Sequence, residues 1–157
     1  MRIVLDTNVL VSGLLTPGGN CAQILAHFKE SQILLAYDMR MYSEYRRVLL
    51  QGRLPIKRES AETVLDSIVR LADCVMATPL PVKFVHQDDK VFFEVSQTVQ
   101  GLLVTGNKRH YPENLWVLTP GDFMSLIQRL EMSDEEIEAD IPNDKDYDPN
   151  EEAIVED

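Results

Sequence analysis

The chain has 157 residues, enough for one domain of ordinary size. Its composition, 45% hydrophobic and 26% charged, is that of a globular protein and excludes a low-complexity or fibrous one. A formal net charge of −11 speaks against a nucleic-acid partner, because phosphate binding wants surplus Lys and Arg. That charge is unevenly placed. Residues 131–157 hold 13 of the 26 acids and one Lys, a net −12, which leaves residues 1–130 at +1. The body is close to neutral, and its partners have to be judged without the tail.

Cys21 and Cys74 form no CxxC pair and no disulfide framework, which predicts two small buried residues in a reducing compartment. The opening apolar run stops at Asp6, too early for a secretory leader, and no stretch approaches the ~20 apolar residues needed to span a bilayer. A cytoplasmic protein with no membrane partner is expected.

Ile3-Val4-Leu5 is a short unbroken apolar run, as suits a strand buried on both faces. Asp6-Thr7-Asn8 are residues of turns and helix starts, and a second apolar run, 9–15, ends at Pro17-Gly18-Gly19. Asn20 is placed to cap a helix over 21–30, with Ile24, Leu25 and Phe28 on its inner face. Residues 33–37 read as a strand. Asp38 then opens a helix to about residue 50, with Met41, Tyr45, Val48 and Leu49 at helical spacing. The stripe Ala61, Val64, Leu65, Ile68, Leu71, Ala72 and Val75 predicts a helix over 60–76, stopped before Pro79 and Pro81. Asp88-Asp89 precede a helix with Val91, Phe92, Val95 and Val99 inward, and Gly101 follows it. Strands are predicted at 102–105 and 115–118, and a last helix runs to Leu130. Strands alternating with helices imply an α/β protein, a parallel sheet covered by helices on both faces. Residues 131–157 are predicted to be a disordered acidic tail, with a local helix start at 133–137 as an exception.

Ligands of open parallel sheets bind beyond the carboxyl ends of the strands. Asp6 follows the first strand, Asn107 follows the strand at 102–105, and Asp88-Asp89 open the helix before it. Glu44 sits in the second long helix, off its apolar stripe, with Arg40 and Arg47 nearby. Carboxylates gathered in one cleft repel each other, and a divalent cation relieves that repulsion. Oxygen-only ligands favour Mg²⁺ or Mn²⁺ over zinc. Each residue also has a plainer role open to it. Asp6 and Asp88 suit helix caps, Asp89 suits the first turn of a helix, Glu44 suits a solvated helix face, and Asn107 suits a left-handed turn after Gly106.

The segment Ile3-Val4-Leu5-Asp6-Thr7-Asn8-Val9-Leu10-Val11-Ser12 resembles the opening motif of PIN-domain proteins. Glu44-Tyr45 with Val48-Leu49, Asp88-Asp89-Lys90-Val91-Phe92, Leu103-Val104-Thr105-Gly106-Asn107 and Leu118-Thr119-Pro120-Gly121-Asp122-Phe123 resemble that family's later motifs, in the same order. The resemblance spans about residues 1–130 and is closest to VapC-type proteins, the toxins of toxin–antitoxin pairs. It implies a PIN-like nuclease domain over 1–130: a three-layer α/β/α sandwich around a parallel sheet, with an acidic pocket that hydrolyses RNA phosphodiester bonds. Carried over by position, Asp6, Glu44 and Asp89 match the family's metal ligands, for Mg²⁺ or Mn²⁺, and Asn107 matches its fourth position. Asn8, Ser12 and Asp88 would support them. Where VapC-type proteins often carry a further acid, this chain has His110. Arg40, Arg47, Lys90, Lys108 and Arg109 are candidate RNA contacts, and the resemblance implies an antitoxin partner and a homodimer. The alternative is a catalytically weak PIN-like module that binds RNA or protein. The tail either solubilises the protein or competes with RNA for the basic rim.

Overall fold

The protein is described from a computed structural model over residues 1–139. Residues Met1–Ser125 form one compact unit, and a second unit begins at Leu126. In chain order the elements are β1 (Arg2–Leu5), α1 (Thr7–Leu15), α2 (Asn20–Lys29), β2 (Leu34–Tyr37), α3 (Met39–Leu50), α4 (Arg58–Leu71), β3 (Asp73–Cys74), α5 (Lys90–Val99), β4 (Leu102–Val104), β5 (Val117–Leu118) and α6 (Pro120–Ala139). Short 3₁₀ turns occupy Gln87–Asp89 and Lys108–His110.

The five strands make one parallel sheet in the order β3-β2-β1-β4-β5. Ile3, Val4 and Leu5 are fully buried, as are Leu35, Ala36, Leu103 and Val104, so the central strands bury both faces. The chain runs outward from β1 through β2 to β3, then returns across the sheet to β4. The crossovers therefore run to either side of β1, and helices flank the sheet in the expected α/β/α arrangement. The order reverses beside β1, so the crevice at the carboxyl ends of β1 and β4 is the natural ligand position.

Several local readings are corrected. The helix predicted over 60–76 ends at Leu71, because Asp73–Cys74 peel away to pair with β2 at the sheet edge. A strand of two residues leaves no periodicity to detect. Its edge position also exposes Cys74, and Cys21 is only partly covered, so neither thiol is a core residue. Asn20 is the first helical residue and Gly19 occupies the cap. Asp38 caps α3 as predicted, accepting from the Arg40 and Met41 N–H groups. The last helix continues past Leu130 to Ala139, and its own sequence from Glu131 on lacks any breaker. The predicted disorder of the acidic tail beyond it falls on residues 140–157, outside the described part. Among the described residues no single helix is long and apolar enough to cross a membrane.

Gly101 shows how closely β1 and β4 approach. Helix α5 is ended by Gln100, which takes a left-handed conformation (φ 52°), while the Gly101 N–H bonds back to the Ser96 carbonyl. Gly101 is needed for a different reason: a Cβ there would stand 2.9 Å from the Arg2 carbonyl oxygen. Backbone on β1 cannot yield as a side chain would. Gly101→Ala is expected to destabilise the protein by about 1–3 kcal/mol, read as a lowered urea midpoint at unchanged m-value.

Candidate functional site

The crevice at the β1/β4 reversal is an open cleft of about 440 Å³, and Asp6, Glu44, Asp88, Asp89 and Asn107 all line it. Residues up to 101 positions apart in sequence are brought there by strand ends and helix turns.

Asp6 has extended backbone at the junction of β1 and α1, yet its side chain makes no capping bond. It reaches across to the segment after β4 instead. Its Oδ2 accepts from Thr105 Oγ1 at 2.8 Å and from the Tyr111 hydroxyl at 2.9 Å. Thr105 is fully buried, and its Oγ1 also accepts the Asn107 N–H at 3.0 Å. Asp6 itself is only 6% exposed, which is tolerable for a carboxylate only because both donors are supplied.

Glu44 is brought beside Asp6 by its neighbour Tyr45, a fully buried residue whose hydroxyl donates to the Leu5 carbonyl. Thr7 Oγ1 donates to Glu44 Oε1 at 2.7 Å, so Glu44 is held from α1 rather than solvated on a free helix face. Burial is the main cause that pushes its carboxyl above the ordinary range, with Asp6 and Asp88 adding to the rise and Thr7 and Arg47 opposing it.

Asp89 likewise makes no cap. Its Oδ2 meets His110 Nδ1 at 3.2 Å. Burial and then the Asp6 charge raise its carboxyl, against the lowering effect of His110 and His86. Asp88 is exposed and faces Glu44 electrostatically. Asn107 has φ −122°, so the left-handed turn is not what requires it. Asn8 Oδ1 accepts the Gly106 N–H at 2.9 Å and so fixes the same loop from α1.

Ser12 is not among the residues that line the cleft, and its side chain lies near the Cys21 thiol. Of the candidate RNA contacts, two are already engaged. Arg40 Nη2 lies 2.6 Å from Asp38 Oδ2, and its Nη1 lies 3.2 Å from Glu94 Oε2. Lys90 Nζ is 3.7 Å from the other Glu94 oxygen, which also accepts the Leu80 N–H. Asp38 and Glu94 are 5% and 3% exposed, so these cations serve first to neutralise buried acids. Arg47, Lys108 and Arg109 are exposed, with no ion pair among the described residues. Sequence reading missed Thr7, Thr105 and Tyr111, which position the carboxylates, and His86, which lines the cleft. Only Thr7 and Thr105 carried a signal, through adjacency to Asp6 and Gly106-Asn107.

Among the described residues no three His, Cys, Asp or Glu side chains close on a ready-made metal site. The donor set nonetheless suits a hard cation. One oxygen of each of Asp6, Glu44 and Asp89 is held by the protein, and none of the three is left as a buried oxygen without a partner. Mg²⁺ commonly keeps several waters and takes only one or two carboxylates directly.

A parallel sheet with carboxylates gathered at its topological reversal defines an α/β protein with an acidic, cation-suited cleft. Residues 2–109 match the PIN domain, and the chain belongs to the PIN-domain family. Among solved structures it is similar in fold to a chain in the crystal structure of VapBC2 from Rickettsia felis bound to a DNA fragment from their promoter. The TM-score is 0.53 at 15% sequence identity, covering 76% of this chain and 98% of that one. No curated protein matches the sequence.

Two outcomes follow from the charge arrangement. Glu44 and Asp89 hold protons more tightly in the folded chain than in the unfolded one. Their contribution to stability is therefore present below the ordinary carboxylate range, about pH 4, and is lost as pH rises through the raised values. Glu44→Gln keeps an acceptor for Thr7 and removes the charge. In EDTA it should melt above wild type at pH 7 and show no such advantage near pH 4; an equal difference at both pH values contradicts the assignment. Arg40→Met should cost about 1 kcal/mol in urea unfolding, because Asp38 and Glu94 lose a shared partner that is half exposed to solvent, while Glu94 keeps Lys90 and Asp38 keeps its backbone donors.

Proposed function

We propose that this chain is a metal-dependent endoribonuclease that hydrolyses RNA phosphodiester bonds in the cytoplasm and acts as the toxin of a toxin–antitoxin pair. The observation that carries the reading is the convergence of Asp6, Glu44 and Asp89 in one cleft at the β1/β4 reversal. These three would hold one Mg²⁺ or Mn²⁺, with Asn107 orienting a water at the same place. Bound there, the cation would lower the pKa of an attacking water and offset charge on the phosphoryl oxygens.

The chain's own groups prepare that position. Thr105 and Tyr111 keep one Asp6 oxygen occupied and so fix the direction of the other. Thr7 does the same for Glu44, and His110 for Asp89. Such supporting hydrogen bonds set the orientation and basicity of metal ligands. Arg47, Lys108 and Arg109, which have no ion pair among the described residues, lie beside Glu44 or just after Asn107 and would contact the RNA backbone. The VapBC2 neighbour is a toxin–antitoxin complex, which supports an antitoxin partner here; a homodimer is proposed on family grounds.

Asp6→Asn tests the reading. With the fold verified by circular dichroism, it should lower Mn²⁺-dependent cleavage of single-stranded RNA by at least about 100-fold. Calorimetry should show Mn²⁺ binding to wild type and weaker binding to the variant. Equal cleavage by both proteins overturns the site, and a wild type with no Mn²⁺ heat and no cleavage favours the non-catalytic module.

A further inference from the structure

The cleft carries a second feature beside the carboxylates. His86 and His110 also line it, from two different loops, and their rings stack at a centroid distance of 4.6 Å with a tilt of 34°. His110 is partly covered and tethered through Nδ1 to Asp89, while His86 is exposed. The same two loops are joined a step deeper by a second ring pair, Phe84 and Tyr111, at 6.1 Å in an edge arrangement. Both of those rings are buried, and Phe84 packs further on Phe93. The exposed pair thus sits on a rigid aromatic base.

The geometry points to His86, backed by His110, as a stacking platform for one unpaired nucleobase of the RNA next to the bond being cut. This rests on the reading of the cleft as an RNA-cleaving site. Three considerations carry it. First, the acids lining the cleft repel phosphate, so contact close to them gains most from a ring face that can meet a base. Second, aromatic rings of this kind take up bases splayed out of single strands, whatever the base. Third, a ring face already fixed by its neighbour loses little freedom on binding. A metal held by the histidines is the competing use. Rings stacked face over face carry their nitrogens at their edges rather than toward one point, and no three-ligand group forms there among the described residues.

The experiment uses the Asp6→Asn protein in Mg²⁺, so that RNA is bound but not cut, and fluorescence anisotropy with a labelled single-stranded RNA. Adding His86→Ala should weaken binding about tenfold, and adding His86→Phe should leave it unchanged, since only the ring face is needed. An RNA with 2-aminopurine near the cleavage site should be quenched by the parent and the Phe variant but not by the Ala variant. Affinity untouched by His86→Ala overturns the platform while leaving the RNA reading standing. A Phe variant as weak as the Ala variant also overturns it, in favour of an imidazole–phosphate contact. A parent that binds no single-stranded RNA overturns the RNA reading and the platform together.

Discussion

One buried carboxylate holds the architecture of this cleft together. Asp6 ends the central strand at the point where the sheet order reverses, and a single one of its oxygens accepts two hydroxyls from the segment that follows β4. Taking a carboxylate out of water costs several kcal/mol, and hydrogen bonds to a charged group return about 1.5–3 kcal/mol each. With one donor the position would be strained; with two it is stable and directional. The same bonds bind β1 to the far side of the β4 loop, so the loop carrying Asn107 and His110 is located relative to Asp6 by chemistry at the site itself.

The distribution of charge around that carboxylate favours a cation over self-sufficiency. The strongest cationic partners on the nearby helices, Arg40 and Lys90, are drawn to Asp38 and Glu94. Those acids are nearly fully buried and have the greater need of compensation. Asp6, Glu44 and Asp89 are left with hydroxyl, imidazole and backbone neighbours, and Glu44 and Asp89 respond with carboxyls raised above their ordinary range. A fold selected only for stability would have paired these acids. Leaving them without a Lys or Arg ion pair among the described residues costs free energy at neutral pH, the pattern expected where a cleft is kept ready for a ligand of opposite charge.

Much of this was legible in the sequence because it depends on position along elements. A short apolar run followed by Asp, Thr and Asn identifies a strand end, and strand ends of a parallel sheet converge. Asp6 and Asn107 were therefore readable as candidates, as was the pair Asp88-Asp89 at a helix start, while the choice of Asp89 rested on family resemblance. Glu44 needed family resemblance, since nothing local separates it from a solvated helix acid; its tie to Thr7 spans 37 residues. Ion pairing of Arg40 is equally non-local. Arg40 looked available because Glu94 lies 54 residues away and is buried only by the packing of α5, whereas the pairing of Lys90 with Glu94 is a local one, one helical turn apart. Ser12 was suggested by the family resemblance, but it is not among the residues that line the cleft. Edge strand β3 was lost because two residues show no period, and because the apolar stripe of α4 runs on through Ala72 and Val75.

The aromatic residues below the cleft explain why its two sides act as one piece. Tyr111 meets Asp6 through its hydroxyl and Phe84 through its ring. Phe84 leads two residues on to His86, whose carbonyl accepts the Asp89 N–H. Asp89 in turn meets His110, the residue before Tyr111. The path closes on itself, linking two of the three carboxylates and both exposed rings through hydrogen bonds and ring contacts. A displacement of the 84–89 segment would therefore move Asp89 and disturb Tyr111, and with it the donor that keeps Asp6 in place. Only Glu44 stands outside the loop, anchored separately by Thr7 and Tyr45. Those anchors reach Leu5 and Thr7, the two residues that flank Asp6, so a cation shared by Glu44 and the two aspartates would bind groups already fixed to the same strand end.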